Sequence, residues 1–152
     1  MTGAANIRAA RPDDVPVILS LVRGLADYER EPDAVHATEA DFTAALFGPD
    51  PKAFCHVAEH EGEVVGFALW FLNFSTWTGK HGIYLEDLFV SPDARGTGLG
   101  KALLQTLIDI ARERGYARVE WSVLDWNTPA HDFYRAMGAA PMDDWTVWRL
   151  IP

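Results

Sequence analysis

Cysteine is nearly absent from this chain of 152 residues, which contains only Cys55. A single thiol cannot form an intramolecular disulfide, and by itself it cannot supply the roughly four ligands of a structural zinc site. The five histidines show no metal-binding spacing either. We therefore expect no metal, and a reducing cytoplasm as the compartment.

Long apolar runs are missing as well. The longest uncharged apolar stretch, from Val64 to Phe74, is much shorter than the ~18 residues of a membrane-spanning helix. The first residues, from Met1 to Ala10, lack the apolar segment that a secretory signal requires. These absences argue against membrane insertion and against secretion.

Positive charge is in short supply. Lysine and arginine total 13 against 22 aspartates and glutamates, which gives a formal net charge of −9. A broad basic surface for nucleic acid or for an anionic membrane is thereby excluded, and a cationic ligand suits the protein better. The acidity is concentrated in residues 25–50, where seven carboxylates accompany one arginine.

Hydrophobic residues are plentiful, at 49% of the chain, while 23% of the residues are charged. This composition is typical of a packed globular protein, and neither a linker nor an internal repeat divides it, so we expect one domain over residues 1–152. Apolar periodicity and turn residues predict a mixed α/β order of elements. The predicted helices begin near Asp13, Thr38, Leu99 and Thr128, and the predicted strands span residues 54–59, 64–74, 83–90, 118–124 and 145–150.

A glycine-rich segment follows the third predicted strand and opens the helix at Leu99. It reads Arg95-Gly96-Thr97-Gly98-Leu99-Gly100-Lys101. Glycines at alternate positions let the backbone bend tightly and present N–H groups at a helix N-terminus, where a pyrophosphate can bind. Arg95 and Lys101 would add charge to those donors. The spacing fits neither a dinucleotide-binding fingerprint nor a P-loop, and a turn that merely starts a helix is the alternative.

The segment from Arg95 to Gly100 matches the acyl-CoA signature Q/R-x-x-G-x-G/A, and the chain thereby resembles the GNAT superfamily of N-acetyltransferases. The likeness extends over nearly the whole chain. The diamine (spermidine/spermine) acetyltransferase branch is similar at Ile7-Arg8 with Asp13-Asp14, Leu25-Ala26-Asp27-Tyr28-Glu29, Tyr84-Leu85-Glu86-Asp87-Leu88-Phe89-Val90, Asp125-Trp126-Asn127, and Phe133-Tyr134 with Gly138-Ala139.

The resemblance implies a fold and a co-substrate. The expected fold is α/β, a mixed and largely antiparallel sheet flanked by helices, with a splay between the two strands that hold acetyl-CoA. The glycine loop would bind the pyrophosphate of acetyl-CoA. The backbone N–H groups of Leu88, Phe89 and Val90 would contact the pantetheine and the thioester oxygen. Asn127 matches a CoA-contacting position, and it also suits a helix N-cap.

The resemblance also assigns proton transfer. An alkylammonium has a pKa near ~10.4, so a base must remove its proton before the amine can attack the thioester. Glu86 matches the family's proposed base or substrate carboxylate. Asp87 is its rival, because neighbours in a regular strand point to opposite faces unless a bulge intervenes. Tyr134 matches a CoA-contacting position and the general acid that protonates the departing thiolate, although an aromatic residue on a short helix commonly packs in a core.

The implied acceptor site includes Tyr28 and Glu29, and Trp77 is expected to line the same tunnel. The expected acceptor is the primary amine of a polyamine, a diamine or a lysine-like amino acid. Relatives carry an acidic residue just before that tryptophan, whereas this chain has Ser75-Thr76, which weakens the case for long polyamines. Two alternatives stay open, namely a protein or peptide N-acetyltransferase and a non-catalytic acyl-CoA sensor.

A homodimer is the expected assembly. The family typically dimerises, sometimes by exchanging a C-terminal strand. The alternating segment from Trp145 to Leu150 would be suited to such an exchange.

Overall fold

Within residues 6–152, which the computed structural model describes, five strands form one sheet in the order β1-β2-β3-β4-β5. Residues 1–5 lie outside the described residues. They are the first half of the segment from Met1 to Ala10 in which no secretory signal is predicted. The elements are β1 (Asn6–Ala9), α1 (Val15–Tyr28), α2 (Glu39–Phe47), β2 (Phe54–His60), β3 (Glu63–Ser75), β4 (Lys80–Val90), α3 (Leu99–Arg114), β5 (Val119–Glu120) and α4 (Thr128–Ala136).

The sheet is an antiparallel meander with one parallel addition. Strands β1 to β4 each pair with the next in antiparallel fashion. Strand β5 pairs with β4 in parallel, through Ile83 with Val119 and Tyr84 with Glu120. Beyond Tyr84 the described residues show no pairing of β4 with β5, so these two strands separate toward the glycine loop. The predicted mixed sheet and its splay are therefore confirmed.

Helices cover both faces of the sheet. Helices α1 and α2 pack on one face, and α3 packs on the other, where its Leu103, Leu104 and Leu107 are fully buried. Burial of these apolar stripes is the main contribution that stabilises the arrangement. The core between α1, α2 and the sheet contains Ile18, Leu21, Leu46, Cys55, Val57, Phe67 and Phe89.

A partly buried ion pair anchors the start of α1 to the sheet edge. The Arg8 guanidinium in β1 donates to both carboxylate oxygens of Asp14, at 2.7 and 2.9 Å. Asp14 also accepts the backbone N–H of Arg11 at 2.7 Å. The hydrogen bonds from Arg8 are the main cause that lowers the pKa of Asp14. Because α1 is fixed at this end, the position of its other end, at Tyr28, is determined by the packing along the helix.

Most predicted elements are confirmed within a few residues, but two strand predictions need correction. The strand predicted over residues 118–124 forms only at Val119–Glu120. The strand predicted over residues 145–150 does not form. Burial of one face is what stabilises a strand with an alternating pattern. Here that burial is missing, because Trp145, Trp148 and Leu150 are 67%, 90% and 83% exposed.

The chain divides into two compact units, one ending at Ser122 and the other spanning Val123–Pro152. In the second unit, the buried Asn127 side chain accepts the backbone N–H of Ala130 at 3.4 Å, which confirms the predicted N-cap of α4. The expectation of one domain over residues 1–152 stays a prediction. None of the helices in the described chain is long and apolar enough to span a bilayer.

Candidate active site

The glycine loop, residues 95–101, connects the end of β4 to α3 after a short 3-10 turn at Pro92–Ala94. Gly96 and Gly98 have φ angles of +82° and +81°, a region that L side chains rarely adopt. A Cβ built at either residue would meet no atom within 4 Å. The backbone conformation, rather than crowding, therefore requires glycine, and the space beside the loop is open.

The loop has the chemistry of a phosphate site. The first N–H groups of α3 have no carbonyl partner inside the helix, and the helix dipole adds partial positive charge there. Arg95 and Lys101 are exposed. Thr97 donates its hydroxyl to the Ala94 carbonyl and Leu99 is buried, so these two residues fix the loop itself. The open backbone and the two cations fit the pyrophosphate of a CoA ester.

Arg95 is held in place by the elements around it. Its Nε donates to the carbonyl of Val90 at 3.1 Å. Its guanidinium carbon lies 5.3 Å from the ring centroids of both Tyr28 and Phe89. The end of α1, the end of β4 and the glycine loop therefore meet at this one side chain.

A β-bulge in β4 lies at the predicted catalytic carboxylate. Asp87 lies opposite Leu69 of β3, whereas Leu85 lies opposite the next β3 residue, Trp70. Glu86 is therefore an extra residue without a partner in the register. In a regular strand Glu86 and Asp87 would point to opposite faces, and the bulge removes this constraint.

Glu86 and Asp87 form a carboxylate cluster with Glu29, which follows the last residue of α1. Burial raises the pKa of Asp87 to about 6, and the charges of Glu86 and Glu29 add to the effect. Burial, followed by the charge of Glu86, also raises the pKa of Glu29. Glu86 itself is exposed, while the other two are half-buried. An ammonium group placed among these carboxylates would offset both their mutual repulsion and their lost hydration.

The backbone of β4 presents hydrogen-bond donors to the splay. Ser91 donates its N–H to the carbonyl of Val65, on the β3 side, at 2.7 Å. Because N–H directions alternate along an antiparallel strand, the N–H of Phe89 also points to β3, and those of Leu88 and Val90 point to the other side. That side is the one where β5 has separated from β4. Two of the three predicted backbone donors therefore face the splay.

The remaining predicted residues occupy two other places. Trp77 lies in the turn between β3 and β4 and is 82% exposed. Tyr134 lies on α4 in the second unit, where its ring centroid is 5.4 Å from that of Phe133 and it is half-buried. Asn127 caps the same helix. The roles of these three residues toward the substrates stay predictions.

Other reactive side chains are engaged in structural contacts. Burial raises the pKa of the Cys55 thiol to about 12, so this thiol is not an activated nucleophile. His56 accepts the indole N–H of Trp70 through Nδ1 at 3.1 Å. In the part of the chain that the structure describes, no three His, Cys, Asp or Glu side chains come together as a metal site.

Two features of the site are not predicted from the sequence. The contact of Arg95 with the Tyr28 and Phe89 rings joins residues far apart in the chain, and no local pattern signals it. A bulge is the condition for Glu86 and Asp87 to share a face, but its position depends on the register with β3. The acidic pair in an otherwise apolar strand was the available signal.

Comparison with known proteins decides the family. Residues 19–139 match the acetyltransferase (GNAT) family. The chain belongs to this family. It is 39% identical over 150 residues to thialysine N-epsilon-acetyltransferase of Bos taurus, over 93% of this chain and 88% of that protein. It is 33% identical over 153 residues to spermidine/spermine N(1)-acetyltransferase-like protein 1 of Homo sapiens, over 96% of this chain and 22% of that protein.

The solved structures agree with this assignment of the fold. An integron cassette protein from the mobile metagenome of V. cholerae superposes with a TM-score of 0.81 at 25% identity, over 99% of this chain and 94% of that one. The GNAT resemblance, including its diamine acetyltransferase branch, is thus confirmed. The protein is an N-acetyltransferase of a family that uses acetyl-CoA as co-substrate.

The half-buried Asp87 should cost stability. Its pKa is about 6 in the folded protein against an ordinary value of 3.8, so the folded state binds the proton more tightly than the unfolded state. The cost is full above pH 6 and disappears below about pH 4. Asp87→Asn should therefore raise the free energy of unfolding at pH 7.5 by roughly 1–3 kcal/mol, with the difference shrinking toward pH 4, as measured by urea unfolding.

The exposed Asp143 is the matched position, and Asp143→Asn should change the free energy of unfolding by less than about 0.5 kcal/mol at either pH. A lower stability of Asp87→Asn at pH 7.5, or a gain of equal size at both pH values, would contradict the charge argument.

Proposed function

We propose that the protein transfers the acetyl group of acetyl-CoA to the primary amine of a small cationic acceptor, a polyamine, a diamine or a lysine-like amino acid. Transfer takes place directly within a ternary complex, in the cytoplasm, with residues 1–152 acting as one domain. The observation that carries the proposal is the carboxylate cluster of Glu29, Glu86 and Asp87, which the bulge in β4 places next to the end of α1.

The cluster binds the acceptor as a cation. Burial raises the pKa of Asp87 and of Glu29, and the charges of the neighbouring carboxylates add to the effect. An ammonium group would supply the positive charge that offsets both. The chain as a whole carries a formal net charge of −9, so its field attracts a cationic substrate. A relative named for thialysine, a lysine analogue, and another named for spermidine and spermine support this class of acceptor.

Glu86 acts as the base, directly or through a water molecule. It is exposed at the bulge, where an entering amine can reach it. Asp87, which is less exposed than Glu86, attracts the cation. Its negative charge also stabilises the proton that Glu86 accepts.

The other residues hold the co-substrate, which supplies the activated acetyl thioester. The glycine loop with Arg95 and Lys101 binds the pyrophosphate, and the N–H groups of Leu88 and Val90 hydrogen-bond in the splay. Tyr134 donates its phenolic proton to the thiolate that leaves, and Asn127 contacts CoA while it caps α4. Trp77 with Tyr28 contributes to the acceptor tunnel.

The class of acceptor can be measured by thiol release from acetyl-CoA with spermidine, spermine, putrescine, thialysine, lysine and a short peptide, against a blank without acceptor. We expect release with small amines, and more with thialysine than with the long spermine, because Ser75-Thr76 lacks the acidic residue of the polyamine relatives. Preference for the peptide would favour a protein N-acetyltransferase. Release with none, alongside calorimetric binding of CoA, would favour the sensor.

Replacing the proposed general acid should affect turnover selectively. Tyr134→Phe should lower kcat by about 10- to 100-fold and leave the KM for the amine nearly unchanged, because the phenol acts only on the leaving thiolate. Steady-state kinetics at pH 7.5 measure this split. Tyr116→Phe, which changes a tyrosine after α3, is the control and should behave as wild type. Wild-type kcat in Tyr134→Phe would remove this residue from the mechanism.

We further propose that the protein is a homodimer, with the C-terminal segment from Trp145 to Leu150 at the interface. Trp145, Val147, Trp148 and Ile151 are between 67% and 90% exposed in the single chain. Exposed apolar side chains in such density are a feature of interaction surfaces. A second copy would also supply the strand pairing that their alternation predicts.

Sedimentation velocity tests this assembly. Wild type should sediment as a dimer, whereas the double variant Trp148→Asp with Leu150→Asp should sediment mainly as a monomer, since charges would be buried in the interface. Phe74→Ala, which removes an exposed ring from β3, should stay dimeric. A monomeric wild type, or a variant that remains dimeric, would contradict the proposal.

A further inference from the structure

Helix α1 can approach the end of β4 because Gly24 lacks a side chain. A Cβ built at Gly24 would lie 3.1 Å from Cε2 of the Phe89 ring, which is closer than most Cβ contacts. Tyr28 lies four residues later, on the same side of the helix. The close passage of α1 over Phe89 therefore carries Tyr28 to the neighbouring position, beside Arg95.

Three contacts restrain the Arg95 guanidinium. One is the hydrogen bond from its Nε to the Val90 carbonyl. The others are the Tyr28 and Phe89 rings, whose centroids each lie 5.3 Å from Cζ, within the ~6 Å range of cation–π contacts. Since Val90 takes only the Nε–H, the N–H donors of the two terminal nitrogens stay available for phosphate oxygens.

Restraint of this kind favours ligand binding. A mobile arginine loses rotamer freedom when it engages a phosphate, and a side chain that is already held loses less. The two rings differ in what else they do. Phe89 is 6% exposed and belongs to the core, whereas Tyr28 is 37% exposed at the helix end. The Tyr28 ring is therefore the restraint that can be removed without opening the core.

We propose that Tyr28 is a positioning residue for acetyl-CoA, because its ring holds the Arg95 guanidinium beside the glycine loop. The proposal rests on the proposed function in taking the glycine loop as the pyrophosphate site. Tyr28 directly precedes Glu29 of the carboxylate cluster. The end of α1 thus serves both substrates, with Glu29 facing the amine and Tyr28 supporting the arginine that binds the co-substrate.

The test is the Kd of CoA, measured by calorimetry without any amine. Tyr28→Leu should raise this Kd by about 3- to 10-fold, the range of an exposed to partly desolvated cation–π contact. Tyr28→Phe keeps the ring and should stay within about twofold of wild type. Tyr116→Leu removes a tyrosine outside the site and should leave the Kd unchanged.

A double-mutant cycle shows whether Tyr28 acts through Arg95. Arg95→Ala should weaken CoA binding, and adding Tyr28→Leu to it should have less than about a twofold further effect. Arg95→Lys keeps the charge but loses the planar guanidinium beside the rings and the hydrogen bond from Nε, and it should also lose affinity. Tyr28→Gln serves as a second variant without the ring, should Tyr28→Leu fold poorly in a thermal melt.

The proposal is overturned if Tyr28→Leu and Tyr28→Gln bind CoA as wild type does. It is equally overturned if their loss is undiminished in the Arg95→Ala background. Failure of the proposed function has a different signature, since wild type would then bind CoA but release no thiol with any amine of the acceptor panel.

Discussion

One extra residue in β4 determines the geometry on which the site depends. Leu85 and Phe89 are four residues apart and would share a face in a regular strand. They lie opposite Trp70 and Phe67, which are three apart in β3 and so occupy opposite faces. The insertion of Glu86 thereby puts the two halves of β4 out of phase. The first half packs apolar residues toward α3, and the second turns Asp87 toward α1.

The same insertion sets the hydrogen-bonding direction of the strand. Without the inserted residue, the backbone N–H groups beyond the bulge that now point to β3 would point to the splay, and those that now point to the splay would point to β3. The carboxylates that we propose bind a cation and the N–H groups that we propose bind an acyl carrier therefore have a common structural origin. The insertion lowers the stability of the fold, because it leaves Asp87 half-buried near two other carboxylates. The apolar layers packed on both faces of the sheet offset this loss of stability.

Local features were predictable from the sequence, and features of long-range packing were not. The glycine loop was found because positive φ angles at Gly96 and Gly98 demand a residue type that is visible in the sequence. The cap at Asn127 follows from its position before Thr128 and Pro129. The prediction of a strand over residues 145–150 is wrong, because alternation gives a strand only where a neighbouring strand and a packing surface exist. The position of the bulge depends on the register with β3, and the ring contacts of Arg95 depend on the approach of α1; no local pattern encodes either.

The separation of β5 from β4 has a consequence for self-association. A sheet edge with free N–H and C=O groups is a template on which strands of other molecules can add and aggregate. Beyond Tyr84, β4 has such an edge, which β5 leaves unpaired. Two features of this part of β4 discourage the addition of another strand. One is the β-bulge, which interrupts the regular register, and the other is the pair of acidic side chains, Glu86 and Asp87. Glu86 and Asp87, which we propose bind the amine, thus also discourage the exposed edge of β4 from pairing with a strand of another copy of the protein.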